Sequence, residues 1–515
     1  MPVLWGVQVT RRTRFRPRLT LAPRYDHSPV PGLPSGAMVI TNTERKDLFC
    51  PRRWWYSRGL RLQSNPNSAM RFGSAFDRTM EGILEWYRLR PDATSITWDE
   101  VQDGPLRPVL EDLLEREAEY PDGVDQEIER LQRAVQGWVV QYGRSMAEDF
   151  QVLDSQPMLA VPITSPTTGK VYRSKVPVVR TGEGWRTATA HDAHTDVSLV
   201  TLPWFQLVKL DGVVLHRAEQ SVWAWETKTT ANPQGYSRAL HLDTQLPGYT
   251  RALWYATQVL GLYGGRPVGG YVWDVTSSQH HRDPKVLSSG KVSMAAGQRV
   301  PSWRWRRHLD TLLGTRTLQE VQETASRHRT LLATLEGAAK ARAAEAKSAG
   351  RGAAGALARA ERDKAQEAAK VARVKLRELQ TILDVESMIQ VATETVDPNL
   401  YLRRWGEFTT HTLAQYEVEL FRDAVRVGEN LRRAVGTSGA IPSGSPDSTT
   451  PTDLDLQVSL HFPRVPVCRQ PGGFCPYTGP CLQDGDVVRS NYQSRDTVHW
   501  LDNQAAQDHS WASEA

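Results

Sequence analysis

The feature that most constrains this chain is a change in the period of its apolar residues near residue 157. Upstream they recur at helical spacing: a first stretch runs from Asn42 through Cys50 and Trp54. A second runs from Ser68 to about Tyr87 with Met70, Phe72, Phe76, Met80, Ile83 and Leu84 on one face, and further helices are predicted over 106–118 and 125–148. From about 157 the period becomes two. The segments 157–163, 205–215, 220–230 and 268–276 are rich in β-branched and aromatic residues, and a helical pattern over about 240–263 separates the last two. Strands interrupted by helices predict an α/β core.

Length and charge divide the chain around that core. A chain of 515 residues with 40% hydrophobic and 23% charged residues belongs with globular proteins and outside the collagenous and wholly disordered classes. No apolar run reaches the roughly 18 residues of a membrane span, and no signal-peptide core follows the N-terminal charges, so the expectation is a cytoplasmic protein with no membrane partner. Residues 1–37 read as a basic flexible arm, with Met38 as an alternative start, followed by a core over 38–311. An Ala-rich helical hairpin or coiled-coil insertion is expected over 312–395, a core helix within 396–435, a Gly/Ser/Pro/Thr-rich linker over 436–453, a cysteine-bearing segment over 454–490, and a loosely ordered tail over 491–515. The formal net charge of +5 resides in the arm, where six arginines face Asp26 alone. Within the otherwise neutral remainder, 337–377 holds eleven basic residues against four acidic ones. That run reads either as a solvated face or as a prong that touches phosphates.

Chemistry concentrates in Asp211-Gly212-Val213-Val214 and Trp223-Ala224-Trp225-Glu226-Thr227-Lys228-Thr229-Thr230. Side chains alternate along a strand, so Glu226 and Lys228 share one face and Trp225 and Thr227 the other. If 205–215 and 220–230 pair as a hairpin, Asp211 approaches Glu226. Two carboxylates of this kind suit Mg²⁺ or Mn²⁺, which prefer oxygen ligands. Lys228 is then placed to hold or deprotonate an attacking water or to neutralise charge on a phosphate. Alone, Asp with Glu-x-Lys is also an ordinary same-face pair on a strand.

These residues resemble the PD-(D/E)XK nuclease superfamily, in particular its RecB-type, AddB-like iron–sulfur exonuclease branch with phage-type members. Asp211 matches that branch's first metal-binding acid, Glu226-Thr227-Lys228-Thr229 its Asp/Glu-x-Lys-Thr, and Gln245-x-x-x-Tyr249 its Gln-x-x-x-Tyr. The resemblance implies a restriction-endonuclease-like core, a central mixed sheet flanked by helices. It also implies that Asp211, Glu226 and the Thr227 carbonyl hold the metal, that Lys228 is catalytic, and that Gln245 and Tyr249 contact the substrate backbone. Where the branch carries Gly-x-x-x-His, this chain has Gly73-Ser74-Ala75-Phe76-Asp77, which offers Asp77 as a metal ligand in place of the histidine.

The same branch binds a 4Fe-4S cluster through one upstream and three downstream cysteines, which would staple the C-terminus to the core. Cys50, in Cys50-Pro51-Arg52, resembles the first, and Cys468, Cys475 and Cys481 the others; the gap between Cys468 and Cys475 is longer than in familiar members. Zinc in a four-cysteine site is the rival assignment. Next to Cys50, Arg52, Arg53, Trp54 and Trp55 read either as core residues or as a surface that stacks on bases of a single strand. His191 and His194 suggest a metal pair but lack a third ligand. The function implied is a metal-dependent DNA nuclease, an exonuclease acting on ends or single strands in recombination, repair or phage DNA processing in a bacterial or phage-infected cytoplasm, with a helicase or recombination protein as partner. The alternative is a catalytically impaired DNA-binding subunit that keeps fold and cluster.

Overall fold

A computed structural model describes residues 30–34, 37–48, 50–59, 62–64, 68–117, 123–181, 184–188, 196–238, 245–279, 281–285 and 300–438, with three short strands at 469–470, 473–474 and 492–494. In chain order, β1 (Met38–Thr41) leads into α1 (Asn42–Asp47), α2 (Pro51–Trp54), β2 (Leu62–Ser64) and α3 (Ser68–Leu89). Then come α4 (Trp98–Val101), α5 (Arg107–Glu115), α6 (Val124–Asp149), β3 (Phe150–Ser155), β4 (Met158–Pro162), β5 (Arg173–Thr181), β6 (Gly184–Thr187), β7 (Val197–Lys209), β8 (Gly212–His216) and β9 (Ser221–Thr230). The chain continues through α7 (Pro233–Arg238), α8 (Gln245–Gln258), β10 (Val268–Ser277), α9 (Ser302–Leu313), α10 (Leu318–Ser348), α11 (Ala353–Thr395), α12 (Asp397–Leu400), β11 (Tyr401–Gly406) and α13 (Thr410–Ser438).

The strands form two mixed five-stranded sheets where the sequence suggested one. The site sheet has the order β11-β10-β9-β8-β3, with β9 and β10 parallel and the other neighbours antiparallel. The second has the order β1-β7-β5-β6, with β4 also on β7 and β1 parallel to it. The segment 205–215 is therefore not one strand. It breaks at Leu210 and Asp211: β7 belongs to the second sheet, and only β8 makes the hairpin with β9, pairing Gly212 with Trp225 and His216 with Ser221. The run is apolar on both sides of the break, so hydrophobicity alone gives no sign of the change of sheet.

Alternation along β9 fits a sheet buried on both faces. Trp223 and Trp225 pack with Phe76, Leu84 and Trp138 of α3 and α6, whereas Val222 and Ala224 pack with Leu246, Tyr249 and Leu253 of α8. The predicted helix over 240–263 is observed as Gln245–Gln258; residues 239–244 are outside the described set. The helices expected at 106–118, at 125–148 and within 396–435 appear as α5, α6 and α13. The pairs Arg342 to Glu361 (2.9 Å) and Arg329 to Gln380 (2.9 Å) set α10 and α11 antiparallel, and Gly350, at φ +65°, turns the chain between them.

Near the ends, burial decides between the two readings of the segment after Cys50. Trp54 and Trp55 are fully buried beside Ile40, Trp204 and Leu420, Arg52 is buried, and Arg53 is ion-paired to Asp47 at 2.7 Å, so this segment is core and offers no face to a base. In the C-terminal tail, Tyr492–Ser494 pairs antiparallel with β2. His191, His194, Cys468, Cys475 and Cys481 lie outside the described residues; Cys50 is described, free and buried.

Candidate active site

The β8–β9 hairpin builds the site. Asp211 sits just before β8, and its Oδ2 accepts two hydrogen bonds from Thr227 on the neighbouring strand, from the backbone N–H at 2.7 Å and from Oγ1 at 2.9 Å. These two bonds lock Asp211 to the strand that carries Glu226 and Lys228. Thr227 thus supplies an orienting contact that its place between the acid and the lysine did not suggest.

Glu226 is 1% exposed, and Lys228 lies against its Oε1 as an ion pair, closer than a normal hydrogen bond. Among the described residues no hydrogen bond of normal geometry reaches either Glu226 oxygen. Buried carboxylates are seldom left so, because desolvation of the charge is costly without donors. The consequence is electrostatic: burial, then the charge of Asp211, pushes the Glu226 carboxyl up to about 8 against the pull of Lys228. For Lys228 burial acts against the charge, yet the surrounding carboxylates of Glu226 and Asp211 prevail and hold the ammonium well above its ordinary range.

The third acid comes from α3. Its apolar face, including Phe72, Phe76 and Met80, packs on the site sheet, and Gly73 permits the approach: a Cβ there would stand 3.3 Å from Thr229 Oγ1. Asp77 follows one turn later on the same face. Burial, then the charge of Asp211, pushes its carboxyl up to about 7, while Lys228 and Lys209 pull it down. Asp77, Asp211 and Glu226 therefore lie within one electrostatic neighbourhood. They do not converge on a point, since no group of three or more His, Cys, Asp or Glu is close enough to hold a metal among the described residues.

From α8, Tyr249 is buried and receives a long hydrogen bond from Gln245 Nε2 (3.4 Å). Gln245 Oε1 in turn accepts from Lys46 Nζ of α1 at 3.1 Å. Lys46 and Lys209 are the site neighbours that sequence reasoning missed. Neither lies in a recognisable motif: the pairing of β1 with β7 brings the segment of Lys46 here, and Lys209 closes β7 two residues before Asp211. The structure thus brings Asp77, Asp211, Glu226, Thr227 and Lys228 together, with Gln245 and Tyr249 alongside.

The donor set fits a hard divalent cation. Its acids are carboxylates, and one of them, Glu226, has a buried oxygen, Oε2, without a hydrogen-bond donor. A sequence model of the PD-(D/E)XK nuclease superfamily matches residues 47–348, a span that contains every one of these site residues except Lys46 and ends before Cys468. No curated protein and no solved structure matches the chain. No described helix is long and apolar enough to cross a membrane.

Proposed function

As the chain belongs to the PD-(D/E)XK nuclease superfamily, whose members usually use Mg²⁺ or Mn²⁺, we propose that it is a metal-dependent DNA nuclease, an exonuclease of the RecB-type, AddB-like branch. The observation that carries the reading is Glu226, a buried carboxylate that holds the Lys228 ammonium on Oε1, has no hydrogen-bond donor on Oε2, and is joined by way of Thr227 to Asp211. Asp211, Glu226 and the Thr227 carbonyl would hold the cation, with Asp77 in the place of the branch's histidine. A bound Mg²⁺ or Mn²⁺ would supply Lewis-acid polarisation of the scissile phosphate and lower the pKa of a water.

The protein's own groups do the remaining work. Thr227 fixes the direction of the Asp211 carboxylate. Lys228 stays protonated beside Glu226 and neutralises negative charge that develops on the phosphate as water attacks. Gln245 and Tyr249, at the start of α8, would orient the substrate backbone; Lys46 holds the Gln245 carbonyl so that its amide nitrogen faces Tyr249.

The cysteines belong to the same proposal. Cys50, Cys468, Cys475 and Cys481 would hold a 4Fe-4S cluster that staples the C-terminal segment to the core. The pairing of Tyr492–Ser494 with Leu62–Ser64 supports it, for it lays chain just beyond Cys481 beside chain just beyond Cys50. Protein purified without oxygen should be brown and contain iron; colourless, zinc-loaded protein would move the assignment to zinc. A role in recombination, repair or phage DNA processing, beside a helicase or recombination protein, is part of the same proposal.

The test of the enzyme reading is degradation of end-labelled DNA by anaerobic, iron-replete protein with Mn²⁺. Wild type should shorten the labelled strand, and the Lys228→Ala protein should do so roughly 10²-fold to 10⁴-fold more slowly. Intact DNA with both proteins, with binding retained, would instead favour an impaired DNA-binding subunit.

A further inference from the structure

The hairpin of α10 and α11 has two chemically different halves. Its base is core: Val321 and Ala325 of α10 and Leu379, Ile382, Val385 and Met388 of α11 join the main cluster under α3 and α6. Over 337–377, by contrast, the buried residues are Ala339, Ala346, Gly355, Ala358, Ala369 and Ala372. Apart from Leu376, half-buried against the main cluster at the base of this stretch, nothing larger than a methyl group is buried there, so this half contributes little to the core and stands as a thin pair of helices zipped by alanines.

Charge divides at the same place. The distal half carries eleven basic and four acidic residues, whereas 378–395 carries Glu378, Asp384, Glu386 and Glu394 and no lysine or arginine. A helix that is merely solvated mixes the two signs. Some distal cations are neutralised locally: Arg342 by Glu345 and Glu361, Arg373 by Glu336, Lys375 by Glu378. Lys340, Lys347, Arg351, Arg359, Lys364 and Arg377 have no carboxylate within ion-pair distance among the described residues, and all six side chains are exposed or half-exposed.

Spacing adds direction. Lys340 and Lys347 are seven residues apart, and Arg359, Lys370 and Arg377 are eleven and seven apart, so each set lies within about 20° of one line along its helix. Arg359 to Arg377 spans about 27 Å at the helical rise. A rigid duplex, with phosphates about 3.4 Å apart on each strand, matches a straight row of that length. The hairpin, 318–395, contains no Phe, Trp or Tyr. It therefore lacks the stacking platform that single-strand binders place between their cations.

We propose that the distal half of this hairpin, residues 337–377, is a binding arm for the phosphate backbone of duplex DNA. The choice of DNA as the polyanion rests on the nuclease reading; the arm itself rests on the charge division, the alanine zip and the missing aromatics. The arm would hold duplex away from the reacting end, independent of sequence and sensitive to salt.

The test uses the full chain and needs no cleavage, so its failure is separate from failure of the nuclease reading. Binding of a labelled duplex of about 30 base pairs is followed in EDTA by fluorescence anisotropy at several KCl concentrations. Wild type is compared with a protein carrying K340Q, K347Q, R351Q, R359Q, K364Q and R377Q, and with one in which the three lysines become arginine. Each lost phosphate contact should flatten the slope of log affinity against log salt by about 0.9, so the Gln protein should lose about 3 to 5 from the slope and at least tenfold in affinity. The Arg protein should bind as wild type, and a duplex of about 10 base pairs should discriminate less. The Gln changes lie on solvated faces, and unchanged helical circular dichroism checks that the arm remains folded. Equal slopes for all three proteins would overturn the proposal, as would an equal loss on single-stranded DNA of the same length.

Discussion

Two carboxylates on neighbouring strands, Glu226 on β9 and Asp274 on β10, are each 1% exposed and have opposite fates. Asp274 is saturated. Arg403 grips both of its oxygens, at 2.6 and 2.8 Å, and Trp138 Nε1 donates to Oδ2 at 2.9 Å. Arg403 in turn lies over Tyr142 and Trp225, at 4.1 and 4.7 Å from the ring centroids. This is how a fold makes a buried charge tolerable. Glu226 has burial of the same degree, one lysine, and no hydrogen-bond donor of normal geometry. The same sheet thus neutralises one buried acid with its own groups and leaves the other open to a ligand from outside.

The largest effect that would sharpen this contrast is catalytic. Glu226→Ala should reduce Mn²⁺-dependent DNA cleavage by roughly 10⁴-fold, since the several kcal/mol of metal-assisted stabilisation go with it. Its thermal unfolding in chelator should change little, because Lys228 keeps the charges of Asp211 and Asp77 beside it. The mirror experiment is Arg403→Ala, which strands Asp274 and should destabilise the protein by about 3 to 5 kcal/mol in denaturant melts. A loss of stability from Glu226→Ala as large as that from Arg403→Ala would break the comparison.

A smaller effect lies in pH. The folded protein holds the Glu226 proton up to about pH 8, far above an ordinary carboxyl, so the folded state binds it more tightly than the unfolded chain does. That contribution is complete at low pH and is lost as pH rises from the ordinary carboxyl range towards 8; Asp77 adds the same sign up to about 7. In chelator, melting temperature should therefore fall across this window. Added Mn²⁺ should restore more of it at pH 8 than at pH 6, because the cation must displace the protons. Equal metal-induced shifts at the two pH values would contradict the assignment of these acids as ligands.

How much of this was legible in the sequence depends on the range of the interaction. Strand alternation, a local rule, put Glu226 and Lys228 on one face, and the order Asp211, Glu226, Lys228, Gln245, Tyr249 could be read from its resemblance to the nuclease motifs. The amphipathic α3 and α6 were visible for the same reason. The break at Asp211 was not, because β7 leaves for a sheet whose other members, β1 and β5, lie far away in sequence, and an apolar run has the same pattern in either sheet. The Thr227 clamp on Asp211, the Arg403 grip on Asp274 and the Lys46 contact to Gln245 also depend on tertiary packing. Burial of Trp54 and Trp55 decided between core and base stacking, which the sequence could not, for Arg-Trp-Trp has the same composition at a surface and in a core.

Glu226 has Lys228 on one oxygen and no donor on the other, the place that a divalent cation would complete. Calorimetric titration of Mn²⁺ into wild type and Glu226→Gln protein, in two buffers of different ionisation enthalpy near pH 7, tests this most directly. Wild type should bind with release of protons, and the Gln protein should bind at least tenfold more weakly with less proton release. Equal affinity and equal proton release in the two proteins would contradict it.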